Sequence, residues 1–481
     1  MIDKKLSDIL SHEQQRQAEW LEMIASENYV SRDVMDAYAN IFTNKYSEGN
    51  PGARYYGGNE FVDDLERYTQ YKALQIFWLI PQSESTDRRS EQNEKSGNVQ
   101  SILNTSQRWV NVQPLSWSPA NLAVYMWVLK PWDTVLAMDL NAWGHLSHGH
   151  TLNASAIYYN FVSYGVKPST FDIDYDEIRS KAMELKPVMI IAWFSAYPKT
   201  IDRKRFAAIA DEVSKTHGYR PILMADIAHI AGLIAGEAIS SPFPYFDIIT
   251  TTTHKTLRGP RGALIYYRKF ATGRKEWWNL WESSVLEETG LERKINRWVF
   301  PGLQGWPHEH VIYAKAVAFN EVLQPSFKNY AKKVIENAKV LASELVTLWW
   351  PVLTGTTENH IVLVDVTSRI ATSRKEWINL WESSNLETTG RLTWKTAEAV
   401  LEKIWISVNK NLLPFDTRSP MDPSWLRLGT PAITTRGLWT NEIKQVASII
   451  SRALEHYNDE WVLENLKNEV KELCKKFPLW Y

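Results

Sequence analysis

Two runs of sequence decide the fold: Pro221-Ile-Leu-Met-Ala-Asp-Ile-Ala-His229 and Asp247-Ile-Ile-Thr-Thr-Thr-Thr-His-Lys255. Each is a short apolar stretch that stops at polar residues, the pattern of a strand buried on both faces. Similar runs lie on either side: TVLAM (134–138), VMIIAWFSA (188–196) and ALIYY (263–267). Amphipathic stretches separate several of them, for example DRKRFAAIADEVSKTHG (202–218). Strands alternating with helices predict an α/β fold, a mostly parallel sheet covered by helices on both sides. From about residue 308 the pattern changes. Long helical stretches, HVIYAKAVAFNEVLQ and FKNYAKKVIENAKVLASELV, lead into the strand-like HIVLVDV (360–366). A smaller α+β domain is expected at 308–481, after a large domain at 41–307 and an N-terminal arm at 1–40. Residues 5–45 read as helical.

Composition narrows the class. The chain has 481 residues, enough for two domains. Its 54 basic and 55 acidic residues nearly cancel, so net charge offers no case for nucleic acid or anionic membrane as partners. One cysteine, Cys474, excludes an internal disulfide framework and suits a reducing compartment. The polar start has no apolar leader, and no apolar run is long enough to span a membrane. A cytoplasmic protein is expected. Three segments look inserted. Residues 82–108 read as a polar surface loop. The other two, ATGRKEWWNLWESSVLEETG (271–290) and ATSRKEWINLWESSNLETTG (371–390), agree at 16 of 20 positions. They read as an element tolerated twice in surface loops, or as a duplicated partner-binding helix.

Chemistry gathers where the two quoted runs end. In open α/β sheets, ligands bind at the carboxyl ends of strands. Asp226 and Lys255 end neighbouring runs. A buried lysine can form a Schiff base once its pKa is lowered, and a carboxylate suits the pyridinium nitrogen of pyridoxal phosphate. An Asp and a Lys ending two strands are common, however, so the pair alone leaves the ligand open.

Longer motifs go further. IASENYVS (24–31), NKYSEG (44–49), RYYGGNEFVDDLE (54–66), GHLSHG (144–149), FSAYP (194–198), DIAHIAGLIA (226–235), TTTTHKTLRGPRG (250–262), VFPGLQG (299–305), VNKNLLPFDTRSP (408–420) and RLGTPAITTRG (427–437) occur in that order. In these motifs the chain resembles the serine hydroxymethyltransferase family, over roughly residues 5–455. The resemblance implies the type I fold of pyridoxal-phosphate enzymes and transfer of the serine hydroxymethyl carbon to tetrahydrofolate, leaving glycine. It implies that Lys255 holds the cofactor as an internal aldimine. Asp226 would pair with the pyridinium nitrogen, and His145 would stack on the ring. His229, Ser195 and Thr252 would line it, and Ser116 and Ser118 would bind the phosphate, with Gly305 reaching in from a second subunit. Arg427 and Ser26 would hold the substrate carboxylate, and Asn411 would face the pterin. His254 and Arg261 would shape the lysine loop. Tyr46, Glu48 and Tyr56 would come from a second subunit, Glu48 as the proton-transfer group and Tyr46 beside the cofactor, which makes the protein a homodimer or larger. No metal is implied. A threonine-aldolase type of enzyme, or a non-catalytic scaffold, is the alternative.

One departure is systematic. The chain has 23 tryptophans and 21 glycines. Trp78, Trp117, Trp132, Trp143, Trp193, Trp306, Trp394, Trp405 and Trp425, and with them Trp20, stand where the resembling family has glycine. Trp117 and Trp306 fall in the phosphate loop and in the Gly-Gly of the VFPGLQG motif. An indole at such places obstructs a turn or a close approach. Codon UGA is tryptophan in some genetic codes and glycine in others, which would account for all of these positions at once.

Overall fold

A computed structural model describes residues 3–80, 96–192, 195–268, 295–367, 392–411, 414 and 425–481. The duplicated segments 271–290 and 371–390, and Trp193, lie outside them. The centre is a seven-stranded sheet: β1 (Arg108–Asn111), β2 (Thr134–Met138), β3 (Asn160–Tyr164), β4 (Met189–Ala192), β5 (Ile222–Asp226), β6 (Ile248–Thr252) and β7 (Ala263–Arg268). Their order is β1-β7-β6-β5-β4-β2-β3. Strands β2 to β6 run parallel, and β7 is antiparallel to both β6 and β1. All five residues of β5 and of β6 are buried, because helices cover both faces.

The apolar runs become strands almost as written. The helix between β4 and β5 is Arg203–His217, capped by the Asp202 side chain and ended by Gly218 at φ 77°. After it, Ala231–Ala235 lies so close to the lysine loop that a Cβ on Gly232 would meet the Thr256 carbonyl oxygen at 2.1 Å. A second sheet holds β8 (Ile361–Asp365), β9 (Asn409–Asn411) and β10 (Trp425–Gly429) in the order β8-β10-β9. The helices Glu309–Val322 and Pro325–Thr347 precede it in the chain. Among the described residues, no helix is long and apolar enough to cross a membrane.

Two expectations fail. The helical reading of 5–45 holds for Lys4–Glu19, Arg32–Tyr38 and the short 3-10 turn Ile41–Asn44, but not for the stretch between the first two. Between them Leu21–Glu22 pairs in parallel with Ile406–Ser407, a tertiary pairing that outweighs local propensity. Residues 82–108 are not all loop: Ser96–Thr105 is helical, and Arg108 begins β1. Val99 and Leu103 are buried and Ile102 packs beside them, an i, i+3, i+4 stripe overlooked among polar neighbours.

The backbone also singles out tryptophans. Among the described residues, ten that are not glycine have positive φ, and five are tryptophan: Trp78, Trp132, Trp143, Trp349 and Trp405. Trp78 N donates to Gln75 O, and Leu79 N donates to Leu74 O. The same pair of bonds recurs at Trp143 with Gly144, and at Trp349 with Trp350. This is the Schellman ending, whose left-handed residue is usually glycine. Trp132 follows Pro131 in a turn closed by Asp133 N to Lys130 O, at the left-handed position of a type II turn. Trp405 follows directly on the cap of the helix Trp394–Lys403. A left-handed L-residue costs about 1–2 kcal/mol, so five approach the roughly 5–15 kcal/mol net stability of a whole protein. Trp20, Trp306, Trp394 and Trp425 are not among the positive-φ residues, so backbone conformation does not demand glycine there.

Candidate active site

Strands β5 and β6 end side by side, and this places Asp226 and Lys255 in one buried cluster. Thr256 ties the two loops together: its Oγ1 donates to His229 O at 3.0 Å and accepts from Gly232 N at 2.9 Å. The other threonine hydroxyls also serve the framework. Thr250 Oγ1 donates to Asn121 Oδ1 at 2.7 Å, Thr252 Oγ1 to Ala228 O at 3.3 Å and Thr253 Oγ1 to Pro260 O at 2.5 Å. The hydroxyl-rich run therefore stiffens the loop that carries Lys255.

Lys255 Nζ is buried without a hydrogen-bond partner. Burial pushes its pKa well below the usual amine value, against the pull of Asp226, so a neutral nucleophilic amine is within reach. Asp226 behaves in the opposite sense. Burial opposes its charge, but His148 at 3.2 Å and Asn121 at 2.9 Å stabilise it, and its pKa falls to about 2. Burial lowers His145 to about 3, His254 to about 3 and His360 to about 3, and lowers His229 well below its ordinary value. At neutral pH Asp226 is a fixed anion near the neutral imidazoles of His145, His229, His254 and His360.

Arg427 on β10 reaches this cluster from the second sheet. Its Nη1 donates to Ser195 O at 3.0 Å and its Nε to Asn409 Oδ1 at 3.0 Å. Burial lowers it to about 10, so it stays cationic at neutral pH. Ser195 Oγ donates to Trp143 O at 3.1 Å. Ser116 is the N-cap of the helix Trp117–Val128, with Ser118 in its first turn, as a phosphate cradle requires. Ser26 is half-buried, with no bond to the cluster described for it. Arg261 is exposed, and its backbone N–H donates to Tyr38 Oη at 2.9 Å.

A second group of side chains gathers around Tyr46. Tyr46 meets Tyr56 edge-on at 5.1 Å and Trp306 at 4.4 Å between ring centroids, and its hydroxyl donates to Glu48 at 3.4 Å. Gly305 adjoins Glu48. Tyr46, Tyr56 and Trp306 are 43%, 50% and 43% exposed.

Sequence reading missed four participants. Asn121 and His148 hold Asp226, Asn409 meets Arg427, and His360 stacks on His229 at 5.8 Å. Asn409 had a signal: it shares with Asn411 the period-two face of VNKN. Asn411 itself lies on β9 opposite Trp425.

At the centre of the cluster is the Trp117 indole. It stacks on His145 with centroids 3.6 Å apart and planes 20° apart. Its Nε1–H donates to Asp226 Oδ2, and Lys255 Nζ sits 3.4 Å from its centroid. A flat heteroaromatic ring between an imidazole, a carboxylate and a lysine amine is the setting that pyridoxal phosphate calls for. The surrounding residues suit that cofactor. The indole does not, because it fills the space between these groups and takes up the Asp226 carboxylate.

The comparisons agree with the surroundings. A family profile described as serine hydroxymethyltransferase matches residues 1–90 and 91–450. Proteins named serine hydroxymethyltransferase from Prochlorococcus marinus strains MIT 9301 and MIT 9312 are each 42% identical over 478 residues, 99% of this chain and 96% of theirs. One from Acidobacterium capsulatum is 41% identical over 99% of this chain and 94% of its own. With its sheet, its lysine loop and its whole length in agreement, this chain belongs to the serine hydroxymethyltransferase family.

Proposed function

We infer that the chain catalyses the reversible reaction of serine with tetrahydrofolate to give glycine, 5,10-methylenetetrahydrofolate and water. The family is pyridoxal-phosphate dependent and takes tetrahydrofolate as its co-substrate. The observation that carries the reading is the buried Lys255 amine, without a hydrogen-bond partner, beside Asp226 and His145 in a chain that matches the family end to end.

The residues divide the work by charge. Arg427, held by Asn409 and the Ser195 carbonyl, presents a cation to the substrate carboxylate. Asp226 supplies the fixed anion, and His148 and Asn121 keep it ionised. Lys255 supplies the amine. Ser116 and Ser118 offer hydroxyls beside the first-turn N–H groups of their helix to an anion. Glu48, with Tyr46 and Tyr56, is the proton-handling group for the folate side. In one chain Tyr46 and Tyr56 are exposed and Glu48 is half-buried beside them, so we take a second copy to use them and the protein to be a homodimer at least. Tyr55 and Phe61 are 71% and 72% exposed in the same segment, apolar surface that suits such an interface. We place the parts in a large unit at 41–307 and a smaller one at 308–481. A cytoplasmic setting suits a chain whose one cysteine is buried.

The test is glycine formation from serine by the Trp117→Gly chain loaded with pyridoxal phosphate. Glycine formation that depends on tetrahydrofolate is expected. A folded, cofactor-loaded chain that cleaves serine without regard to folate, or not at all, overturns the assignment.

A further inference from the structure

We propose that the working protein carries glycine, not tryptophan, at positions 78, 117, 132, 143, 349 and 405, because its cell decodes the codon UGA as glycine. Five of these positions rest on backbone alone. Tryptophan makes up 23 of 481 residues, yet half of the non-glycine residues described at positive φ. Chance does not concentrate one residue type there, since a bulky side chain is among the least suited to that region. Nor do the five sites share a single kind of turn; what they share is a demand for glycine. Three are Schellman ends, one is the second central residue of a Pro-initiated type II turn, and one follows a helix cap.

Position 117 is independent of φ and rests on the reading of the site given above. With glycine there, the space between His145, Asp226 and Lys255 is free for a cofactor ring. The first turn of the helix Trp117–Val128 then has no side chain between its N–H groups and an approaching phosphate.

The dipeptide Trp349-Trp350 provides an internal control. Trp349 has φ 64° and is 65% exposed. Trp350 is 2% exposed, and its Nε1–H donates to Ser451 Oγ at 2.9 Å. The structure thus asks for glycine at 349 and for a true tryptophan at 350. In the gene, the proposal requires UGA at 349 and the unambiguous tryptophan codon UGG at 350.

Fragmentation mass spectrometry of the protein from its own cells decides the matter. The tryptic peptide 340–369 covers the dipeptide, and the peptide that begins at 109 covers position 117. Glycine at 117 and 349 with tryptophan at 350 is expected. Tryptophan at 349 or at 117 overturns the proposal, and so does UGG at either codon. The reading does not depend on activity. If both positions are glycine and no folate-dependent reaction is found, the proposed function fails and this inference stands. A second arm uses an ordinary host that reads UGG at all six positions. There the Trp117→Gly chain is expected to retain pyridoxal phosphate through gel filtration, and the Trp117 chain to lose it. Equal retention by both means that the indole yields to the cofactor, and this overturns the argument at position 117.

Discussion

The lysine cluster and the tyrosine cluster are built on opposite terms. Around Asp226 and Lys255, side chains from β5, β6, the GHLSHG loop and the helix Trp117–Val128 close on one another, and Asp226, Thr250 and Thr256 are hydrogen-bonded within the same chain. Around Tyr46, rings meet rings but half of their surface stays open. A closed cluster fixes charge states by burial, and an open one leaves them to whatever covers it. The chain therefore sets the charge states of the closed cluster by itself and leaves the open one to its surroundings.

The largest effect that could break this comparison comes from Lys255→Ala, made together with Trp117→Gly. Loss of the Lys255 amine from the closed cluster should lower kcat by on the order of 10³-fold or more, as loss of a nucleophile does elsewhere. The visible absorbance of bound pyridoxal phosphate should disappear with it. Retained absorbance that borohydride still fixes to the chain would move the amine to another lysine.

Mixing tests the open cluster. Glu48→Gln should lower kcat by about 10²–10⁴-fold, the usual contribution of a proton-transfer group. If a second copy supplies Glu48, combining Glu48→Gln with Lys255→Ala subunits should restore part of the activity, because one of the two mixed sites then has both groups. No recovery in a mixture shown by sedimentation to exchange subunits would place both clusters' work within one chain.

The difference between the clusters also sets what sequence could reveal. Strands β2 and β4 to β7 were legible because their apolar runs end in polar residues, whereas β3, with the mixed sequence NFVSY, was not. Lys255 and Asp226 were legible because strand ends are where α/β sheets bind ligands. Asn409 and His360 were not, since their partners Arg427 and His229 come from distant parts of the chain. The pairing of Leu21–Glu22 with Ile406–Ser407 was hidden for the same reason. Trp349 escaped although Pro351 two residues on marks a helix end. The indole of Trp117 was expected to obstruct the phosphate. The structure instead puts it between His145, Asp226 and Lys255.

Arg427 sharpens the closed side. Arg427→Ala removes a charged hydrogen-bond donor worth about 1.5–3 kcal/mol, so KM for serine should rise roughly 10- to 150-fold, with little change in the affinity for pyridoxal phosphate. Arg427→Lys should recover only part, because a point charge does not reproduce a bidentate fork. An unchanged KM in Arg427→Ala would assign the carboxylate to another cation.

The smallest effect concerns pH. Buried His360 has its pKa lowered to about 3, so the unfolded chain binds a proton near pH 6.5 that the folded chain refuses until about pH 3. The unfolded state then holds more protons through this window, and stability must fall as pH falls from about 6.5 toward 3. A single such histidine contributes at most about 1.4 kcal/mol per pH unit. His145 and His254, also lowered to about 3, add to the same slope. His360→Gln should therefore make the urea midpoint less sensitive to acid between pH 6.5 and 5, while a change at Glu48 in the open cluster should leave that slope alone. If Glu48→Gln flattened it as much as His360→Gln, burial would not be what separates the two clusters.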